Sequence, residues 1–584
     1  SMATRIALGV HIGHDRGAAV VANGKLIGAL SQERVDRRKH SPSPEIPHLA
    51  IDRLLAYLSI SPSHLSAVGV SYTNVRIAEV IDQIADELRD RYRLGSVPVV
   101  PVSHHAAHAS AAFYTSPFPS ALVLVADGSG DIVGESLEAE SLYLGNRNGL
   151  QLLDRRLQQF ALTHSTRRNF FNLAYMHPMD REKQTSLGRK YEQVTYLLGF
   201  SHGQAGHTMG LASYGQPLIP YRVPIEGLGF SLTVADLIDE LEECRREQEL
   251  PFHRFIAEHR ANIAATVQNV VEQAVVDLLN SIHRANPSGQ LCLAGGLFLN
   301  CVLNHRILGD TPFKELYVLP PAGDDGQAIG SAFASFAAVS TGLQPAGLPS
   351  PYLGISYSQA DIQATIDHFA LEASELPEEE LVARTAALLD QGSVVGILRG
   401  RSEIGPRALC HRSILADPRR HRMRQHINDS VKYRASFRPL APVVVADEQF
   451  RYFDLHQESP HMLFAAPVRS ASRSDLQAIT HVDGTARVQA VSQSEDAFVY
   501  DLLRAFEALA GVPVLINTSF NLSDEPIVES PHDAVSTFLR SNIDVLILEN
   551  YLIESKESAS LQDRKPVPIH GVGETPELRT GCEE

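Results

Sequence analysis

Three short apolar runs in this chain break off in related ways. ALVLVA (121–126) stops at Asp127-Gly128, LCLA (291–294) at Gly295-Gly296, and ELYVL (315–319) at a proline pair followed by Gly323-Asp324-Asp325-Gly326. The glycine turn after LCLA and the acidic turn after ELYVL both lead into segments patterned as helices, LFLNCVLNHRIL and QAIGSAFASFAAV. Apolar strands that hand over to helices, with polar groups gathered where the strands end, predict a mostly parallel α/β core. Its site should lie at the carboxyl ends of those strands.

The start of the chain fits that class. IALGV reads as a strand, IGHDRG as a turn and AAVVANGKLIGALS as a β-hairpin closed by Asn23-Gly24. A hairpin wrapped around a Gly-His-Asp turn is how many phosphate-handling, actin-like domains begin. ERVDRRKHSPSP follows as a basic loop, 45–58 as a helix and 255–284 as a long helix. At 584 residues the chain is too long for one hydrophobic core, so at least two domains are expected. The Gly-, Pro- and Ser-rich stretch 341–360 is the candidate junction. It gives a first domain over 1–350, a second α/β domain over 351–553 and a polar tail over 554–584.

The charge balance narrows the function. Against 51 Lys and Arg stand 68 Asp and Glu, a net charge of −17, which disfavours nucleic acid as a partner because such binding rests on phosphate neutralisation. No apolar run reaches the ~20 residues that span a bilayer. The 5 cysteines are scattered, without a CxxC pair, as suits reduced thiols in a cytoplasm.

The segment His104-His105-Ala106-Ala107-His108 is the strongest chemical signal. On a helix, His104 and His108 share one face and can reach one metal ion, while His105 points elsewhere, toward a substrate or phosphate. Three polar residues at a helix start, with no metal, would give the same string. Asp127 and Asp325, each at a strand end, would complete a mixed nitrogen and oxygen site suited to Fe(II), Mn(II) or Zn(II). Asp324 could take the place of Asp325. His14 and Asp15 are candidates for acid–base work or phosphate contact, or simply a turn-capping pair. Gly128, Lys183, Gly295, Gly296 and Asn300 are the candidate nucleotide contacts of this domain, with Asn304 nearby. Gly206 to Gly210 reads as an active-site loop.

The second domain carries a basic island in an acidic protein: residues 399–438 hold eleven Arg or Lys against three acids. Arg399, Arg401, Arg407, Arg412, Arg438 and Lys432 suit phosphate or carboxylate contacts, and Asn517, Thr518, Ser519 and Asn521 follow the apolar strand VPVLI. Salt bridges to Glu403 or Glu525 are the structural alternative.

Taken in order, HDRGAAVV, SQERVDRRKH, HHAAHASAAFY, ADGSGD, GHTMGLASYG, AGGLFLN, GDDGQAIG, GRSEIGPRALCHRS, SFRPLAP and NTSFN resemble the NodU/CmcH family of O-carbamoyltransferases, including antibiotic-tailoring enzymes of the nebramycin synthase type. The resemblance spans about 5–553. It implies a Kae1-like first domain of the actin-like (ASKHA) ATPase fold and a YrdC-like second domain. In the second, ATP with Mg(II) and carbamoyl phosphate would yield carbamoyl adenylate. In the first, the carbamoyl group would pass to a hydroxyl of a small natural product, with AMP leaving. The resemblance assigns a metal, iron in some relatives, to His104, His108, Asp127 and Asp325. It places His14 near the transfer centre, the candidate base for the acceptor hydroxyl; His105, pointing off the metal face, is the other catalytic candidate. Arg399, Arg407, Lys432, Arg438, Asn517 and Ser519 would hold ATP and carbamoyl phosphate. It implies a cytoplasmic enzyme of secondary metabolism, antibiotic biosynthesis included, and allows a homodimer. Relatives have glycine where this chain has Cys410, so the loop is expected to differ there if that glycine has φ > 0.

Two other functions use similar folds. A threonylcarbamoyl enzyme of tRNA modification is disfavoured by the acidic balance and by the Kae1-first fusion. An actin-like small-molecule kinase leaves the arginine island and NTSFN without a purpose.

Overall fold

The computed structural model describes residues 4–159, 186–201, 203–219 and 237–556. Lys183 and the tail from 557 onward lie outside the described residues.

The first half is one sheet plan used twice. In the first sheet, β1 (Ile6–Ile12), β2 (Gly17–Ala22) and β3 (Lys25–Ser31) form an antiparallel meander, and β4 (Ala67–Tyr72) and β5 (Val99–Pro101) add in parallel on the other side of β1. The order is β3-β2-β1-β4-β5. The predicted hairpin is present, with Asn23 at φ 49° and Gly24 at φ 80°, the two positive values that a tight two-residue turn needs.

The second sheet repeats this around β6 (Ala121–Ala126). Beside the two-residue β7 (Ile132–Val133), β8 (Ser136–Asn146) and β9 (Gly149–Gln159) pair antiparallel on one side of β6. On its other side β10 (Gln290–Ala294) and β11 (Glu315–Val318) pair parallel. Two copies of a mixed sheet, each followed by a helix that packs on the other's, make the actin-like architecture. The expectation of a mostly parallel core fails on the hairpin arm of each copy, because short turns join neighbouring strands antiparallel.

The helices after β5 and β11 are His104–Thr115 and Gln327–Val339. They touch backbone to backbone: a Cβ on Gly330 would lie 1.7 Å from the Ala107 carbonyl oxygen, and one on Gly9 of β1 would lie 1.8 Å from that of Ala328. Only glycine admits this approach, and Gln327 fastens it by donating to the His104 carbonyl at 2.8 Å. The acidic turn before one helix is thereby pressed against the histidine-bearing start of the other.

The second half is a mixed sheet of eight strands, from Ser374–Glu375 at one edge to Gln489–Val491 at the other, with Val395–Leu398, Arg412–Ala416 and Val514–Ser519 in its middle. One apolar core runs through both halves, joining Leu293 and Ile307 to Leu463 and Val514. Two expected loops contain helices: the helix Gln32–Asp36 takes in the start of ERVDRRKH, and the Gly206–Gly210 stretch lies within Ala205–Ala212.

Candidate active site

Ser103 caps the helix His104–Thr115, its Oγ accepting from the Ala106 N–H. The first turn therefore presents His104 and His108 on one face, both buried. Their Nε2 atoms each lie 2.9 Å from the same oxygen of Asp127, and 3.1 Å and 3.4 Å from Oδ1 of Asp324. These four residues bring one donor atom apiece within 4.8 Å of one another. The Nδ1–H of His104 donates to the Tyr72 carbonyl at 3.1 Å, which turns Nε2 toward the cluster. Thr73 Oγ1 donates to Asp324 Oδ2 at 3.1 Å, and the Gly128 N–H holds Asp127 Oδ1 at 2.8 Å. Burial and the Asp324 charge push the Asp127 carboxyl up, but hydrogen bonds from both histidines prevail and leave it below its ordinary value. Two carboxylates and two imidazoles whose donor atoms converge in a largely buried pocket fit a divalent cation that takes the place of the Nε2 protons.

Asp324, not Asp325, joins the histidines. The two are neighbours in a short 3-10 turn, so their side chains diverge. Asp325 faces a small cavity with Arg34 and Glu403, and burial with nearby Asp15, Glu33 and Asp324 pushes its carboxyl well up. His105 also leaves the cluster. Its Nδ1 pairs with Ser141 Oγ at 2.7 Å, its Nε2 is buried with no hydrogen-bond partner, and burial lowers it to about 4.

Beside the cluster, Asp15 binds two imidazoles at once: His14 Nδ1 and His40 Nδ1 each lie 2.8 Å from one of its oxygens. The rings stack at 4.8 Å. Burial works against a proton on His14, but Asp15 outweighs it and raises His14 to about 9. A ring so held donates at neutral pH. It suits negative charge rather than the role of a base.

The glycine turn Gly295-Gly296 borders Asp127: a Cβ on Gly296 would sit 3.4 Å from Asp127 Oδ1 and has open space otherwise. Backbone can approach a ligand there. Asn300 instead caps the helix Cys301–Asp310 and pairs with Gln268 at 2.9 Å. Asn304 donates to the Leu463 carbonyl at 2.9 Å and so ties the halves together.

In the second half, Lys432 ends a π-helical turn, Ile427–Val431, and donates to Ser519 Oγ at 2.9 Å and Asn521 Oδ1 at 2.7 Å. Burial, then Arg434 and Arg438, pushes its ammonium well down. Burial followed by Arg487 lowers Arg407 to about 9 and Arg438 to about 10. Among the described residues no carboxylate lies within ion-pair distance of Arg407, Arg438 or Arg487, and the Nε of Arg487 is buried without a hydrogen-bond partner. Partly buried cations that repel one another and have no ion-pair partner at hand suit an anion.

Arg399 is not part of it. Its guanidinium pairs with Glu378 at 2.9 Å and lies over the Phe498 ring at 3.8 Å. Arg401 and Arg412 are structural, bonded to backbone carbonyls. Asn517 tethers the Arg407 loop through the Ala408 carbonyl and Gln489. Cys410 retains φ 80°, so the loop keeps a glycine-like backbone there rather than changing course.

Sequence reasoning missed His11, His40, Thr73, Arg434 and Arg487. His11 was visible as the one ionisable residue in the apolar strand β1, where it faces Asp324 at 4.0 Å. Arg487, isolated in TARVQAV, carried no signal.

Family models match both halves: the carbamoyltransferase N-terminus over residues 71–333 and the carbamoyltransferase C-terminus over 386–555. The nodulation protein NolNO of Sinorhizobium fredii is 30% identical over 94% of this chain and 80% of its own. The nodulation protein NolO of Bradyrhizobium diazoefficiens is 33% identical over 79% and 80%. The 3'-hydroxymethylcephem-O-carbamoyltransferase of Amycolatopsis lactamdurans is 27% identical over 90% and 94%. Among solved structures, full-length HypF in its phosphate- and nucleotide-bound form aligns with TM-score 0.40 at 15% identity, over 59% of this chain and 56% of that one. The chain belongs to the carbamoyltransferase family and is an enzyme of that class.

Proposed function

We propose that this carbamoyltransferase moves the carbamoyl group of carbamoyl phosphate, by way of carbamoyl adenylate, to a hydroxyl of a small natural product. One observation carries the reading. A cradle of His104, His108, Asp127 and Asp324 occurs in the same chain as a second cluster, of cations without ion-pair partners, around Arg407 and Arg487.

The cationic cluster takes the phosphorylated reactants, ATP with Mg(II) and carbamoyl phosphate. Carbamoyl phosphate and water give carbamate and phosphate. A carbamate oxygen then bonds to the α-phosphorus of ATP, and pyrophosphate leaves with the electrons of the broken bond. Arg407, Arg434, Arg438, Arg487 and Lys432 hold these anions together against their mutual repulsion. Carbamate and its adenylate are short-lived in water, so an enclosed site protects them.

The second step belongs to the first half, within the boundary we place near residue 350. There His104, His108, Asp127 and Asp324 would hold a divalent ion, Fe(II) by the resemblance, which supplies Lewis acidity toward a phosphoryl oxygen. His14, kept protonated by Asp15, donates to the adenylate phosphate as its charge grows. The Gly128 and Gly295-Gly296 turns give the nucleotide room to approach. The acceptor oxygen bonds to the carbamoyl carbon, AMP departs with the electron pair of the broken carbon–oxygen bond, and the hydroxyl proton passes to solvent. The cephem relative's name specifies a hydroxymethyl acceptor. An alcohol of similar size on a secondary metabolite is the acceptor class proposed here.

Incubation with ATP and carbamoyl phosphate tests the reading. Pyrophosphate should form only when both are present, and a screen of hydroxylated natural products should give one that gains a single carbamoyl mass while AMP appears. Formation of ADP with a phosphorylated acceptor, or turnover that needs threonine and ignores carbamoyl phosphate, would overturn it.

A further inference from the structure

The reaction proposed above makes a labile intermediate in one half and uses it in the other. One short segment of the first half touches the residues around both sites. The helix Gln32–Asp36 follows β3, and Glu33 accepts from the His40 N–H at 2.6 Å while the Asp15 N–H bonds the His40 carbonyl at 2.8 Å. That end of the segment fixes the His14-Asp15-His40 group. From the same helix Arg34, 4% exposed, crosses into the second half and lies 3.5 Å from Glu403 and 3.8 Å from Glu529. Glu403 Oε2 accepts from the N–H groups of His411 and Arg412 at 3.2 Å, closing the loop that carries Arg407. Glu529 accepts from Ser402 Oγ at 3.0 Å on the same loop. Arg37, at the end of the helix, donates to the Pro526 and Ile527 carbonyls. A cavity of about 20 Å³, the room of one water, is lined by Arg34, Glu403 and Asp325.

We propose that Arg34 is a positioning residue for the handover of the intermediate. Its guanidinium, forked between Glu403 and Glu529, registers the Arg407 loop of the adenylate-forming site against the segment that holds His40 and Asp15. This inference rests on the two-step reading above. A buried ion pair is weak evidence for stability as such, and register is the best-attested use of one. A purely structural Arg34 would fail differently: its loss would lower both half-reactions together. A registering Arg34 predicts that the first half-reaction survives while its product escapes.

The test uses the full chain, ATP and ¹⁴C-labelled carbamoyl phosphate, with no acceptor. Pyrophosphate release reports the first half-reaction. Rapid ultrafiltration separates labelled carbamoyl adenylate held by the enzyme from that lost to solution. Arg34→Met should release its first equivalent of pyrophosphate near the parental rate, while the ratio of free to bound carbamoyl adenylate rises about tenfold, equivalent to roughly 1.4 kcal/mol of lost retention. Arg34→Lys keeps the charge without the fork and should show the same escape in a folded protein, because the two are not interchangeable at a forked site. It decides the matter if the methionine variant does not fold. If the parent makes pyrophosphate and the folded variants retain label as it does, or lose both readouts together, the reaction stands and the role of Arg34 is overturned. If the parent makes no pyrophosphate from these two substrates, the reaction itself fails and the handover falls with it.

Discussion

The two sites handle charge in opposite ways. In the first, imidazoles and carboxylates meet in equal number, and His104, Asp127 and Asp324 each have an orienting partner in Tyr72, Gly128 or Thr73. In the second, Arg407, Arg434, Arg438, Arg487 and Lys432 crowd one another, and burial makes each less willing to carry its charge. The first arrangement is assembled before its ligand arrives and can accept one small cation without rearrangement. The second is strained until anions enter. A cradle should therefore be broken by removing a donor, whereas the cationic cluster should gain stability as it loses function.

Asp324→Asn gives the sharper break. It removes a carboxylate from the cradle and should lower metal affinity by more than about 100-fold, beyond the loss of an outer partner. Asp325→Asn, one residue along, should keep the parental metal content. Metal per chain after gel filtration reads both, and the opposite pattern would return the ligand role to Asp325.

Arg487→Met probes the other side. Removing one of several crowded, partly buried like charges should stabilise the ligand-free protein by roughly 1 kcal/mol. The same change removes a charged contact of about 1.5–3 kcal/mol to the anion, some 10- to 100-fold in KM. Inorganic phosphate should raise the melting temperature of the parent clearly and that of the variant little. A variant less stable than the parent without phosphate, yet equally responsive to it, would show that Arg487 is a structural residue.

The contrast also explains what could be read from sequence. The cradle lies on strand ends and a helix start, so periodicity and turn residues pointed to His104, His108 and Asp127 directly. The choice between Asp324 and Asp325 needed the course of a 3-10 turn, which neighbouring identical residues do not reveal. The cationic cluster is gathered from separate strands and loops. Arg487 comes from a separate two-stranded sheet, Ala465–Pro467 with Thr485–Arg487, and Arg399, equally basic in sequence, is neutralised by Glu378 from a helix. The duplicated sheet plan was hidden because β2 with β3 and β8 with β9 differ in length and sequence while sharing pairing.

Asp15 joins features of both sites, a partly buried carboxylate between two rings held positive, and its effect should appear in pH. Burial opposes its ionisation, but His14 and His40 prevail and hold it below its ordinary value. That contribution is present above the unfolded carboxyl pKa of about 4 and is lost below it. His14 is raised to about 9 and His40 is raised as well, by Asp15 first. Their contribution is full below the unfolded value of about 6.5 and disappears as pH rises through the folded ones. The melting-temperature gap between the parent and Asp15→Asn should thus be widest between about pH 4 and 6.5 and close toward pH 9. A gap constant across that range would mean the triad is not ionised as drawn.

Cys410 is the smallest departure from the comparison, because it touches the frame of the cationic site and none of its charges. At φ 80° a side chain carries a penalty of roughly 1–2 kcal/mol that glycine avoids. The loop tolerates it because the Cys410 N–H is held by Ser413 Oγ at 2.8 Å and the buried thiol packs against Asn517 at 3.3 Å. Glycine would relieve the backbone and lose that packing, two changes of similar size and opposite sign. Cys410→Gly should therefore lie within about 1 kcal/mol of the parent by chemical denaturation. Cys410→Ala keeps the strained backbone and leaves a hole, so it should be the less stable of the two. Equal stability of the two variants would mean that the left-handed backbone at 410 carries no measurable strain, and that the thiol rather than the turn decides what this position tolerates.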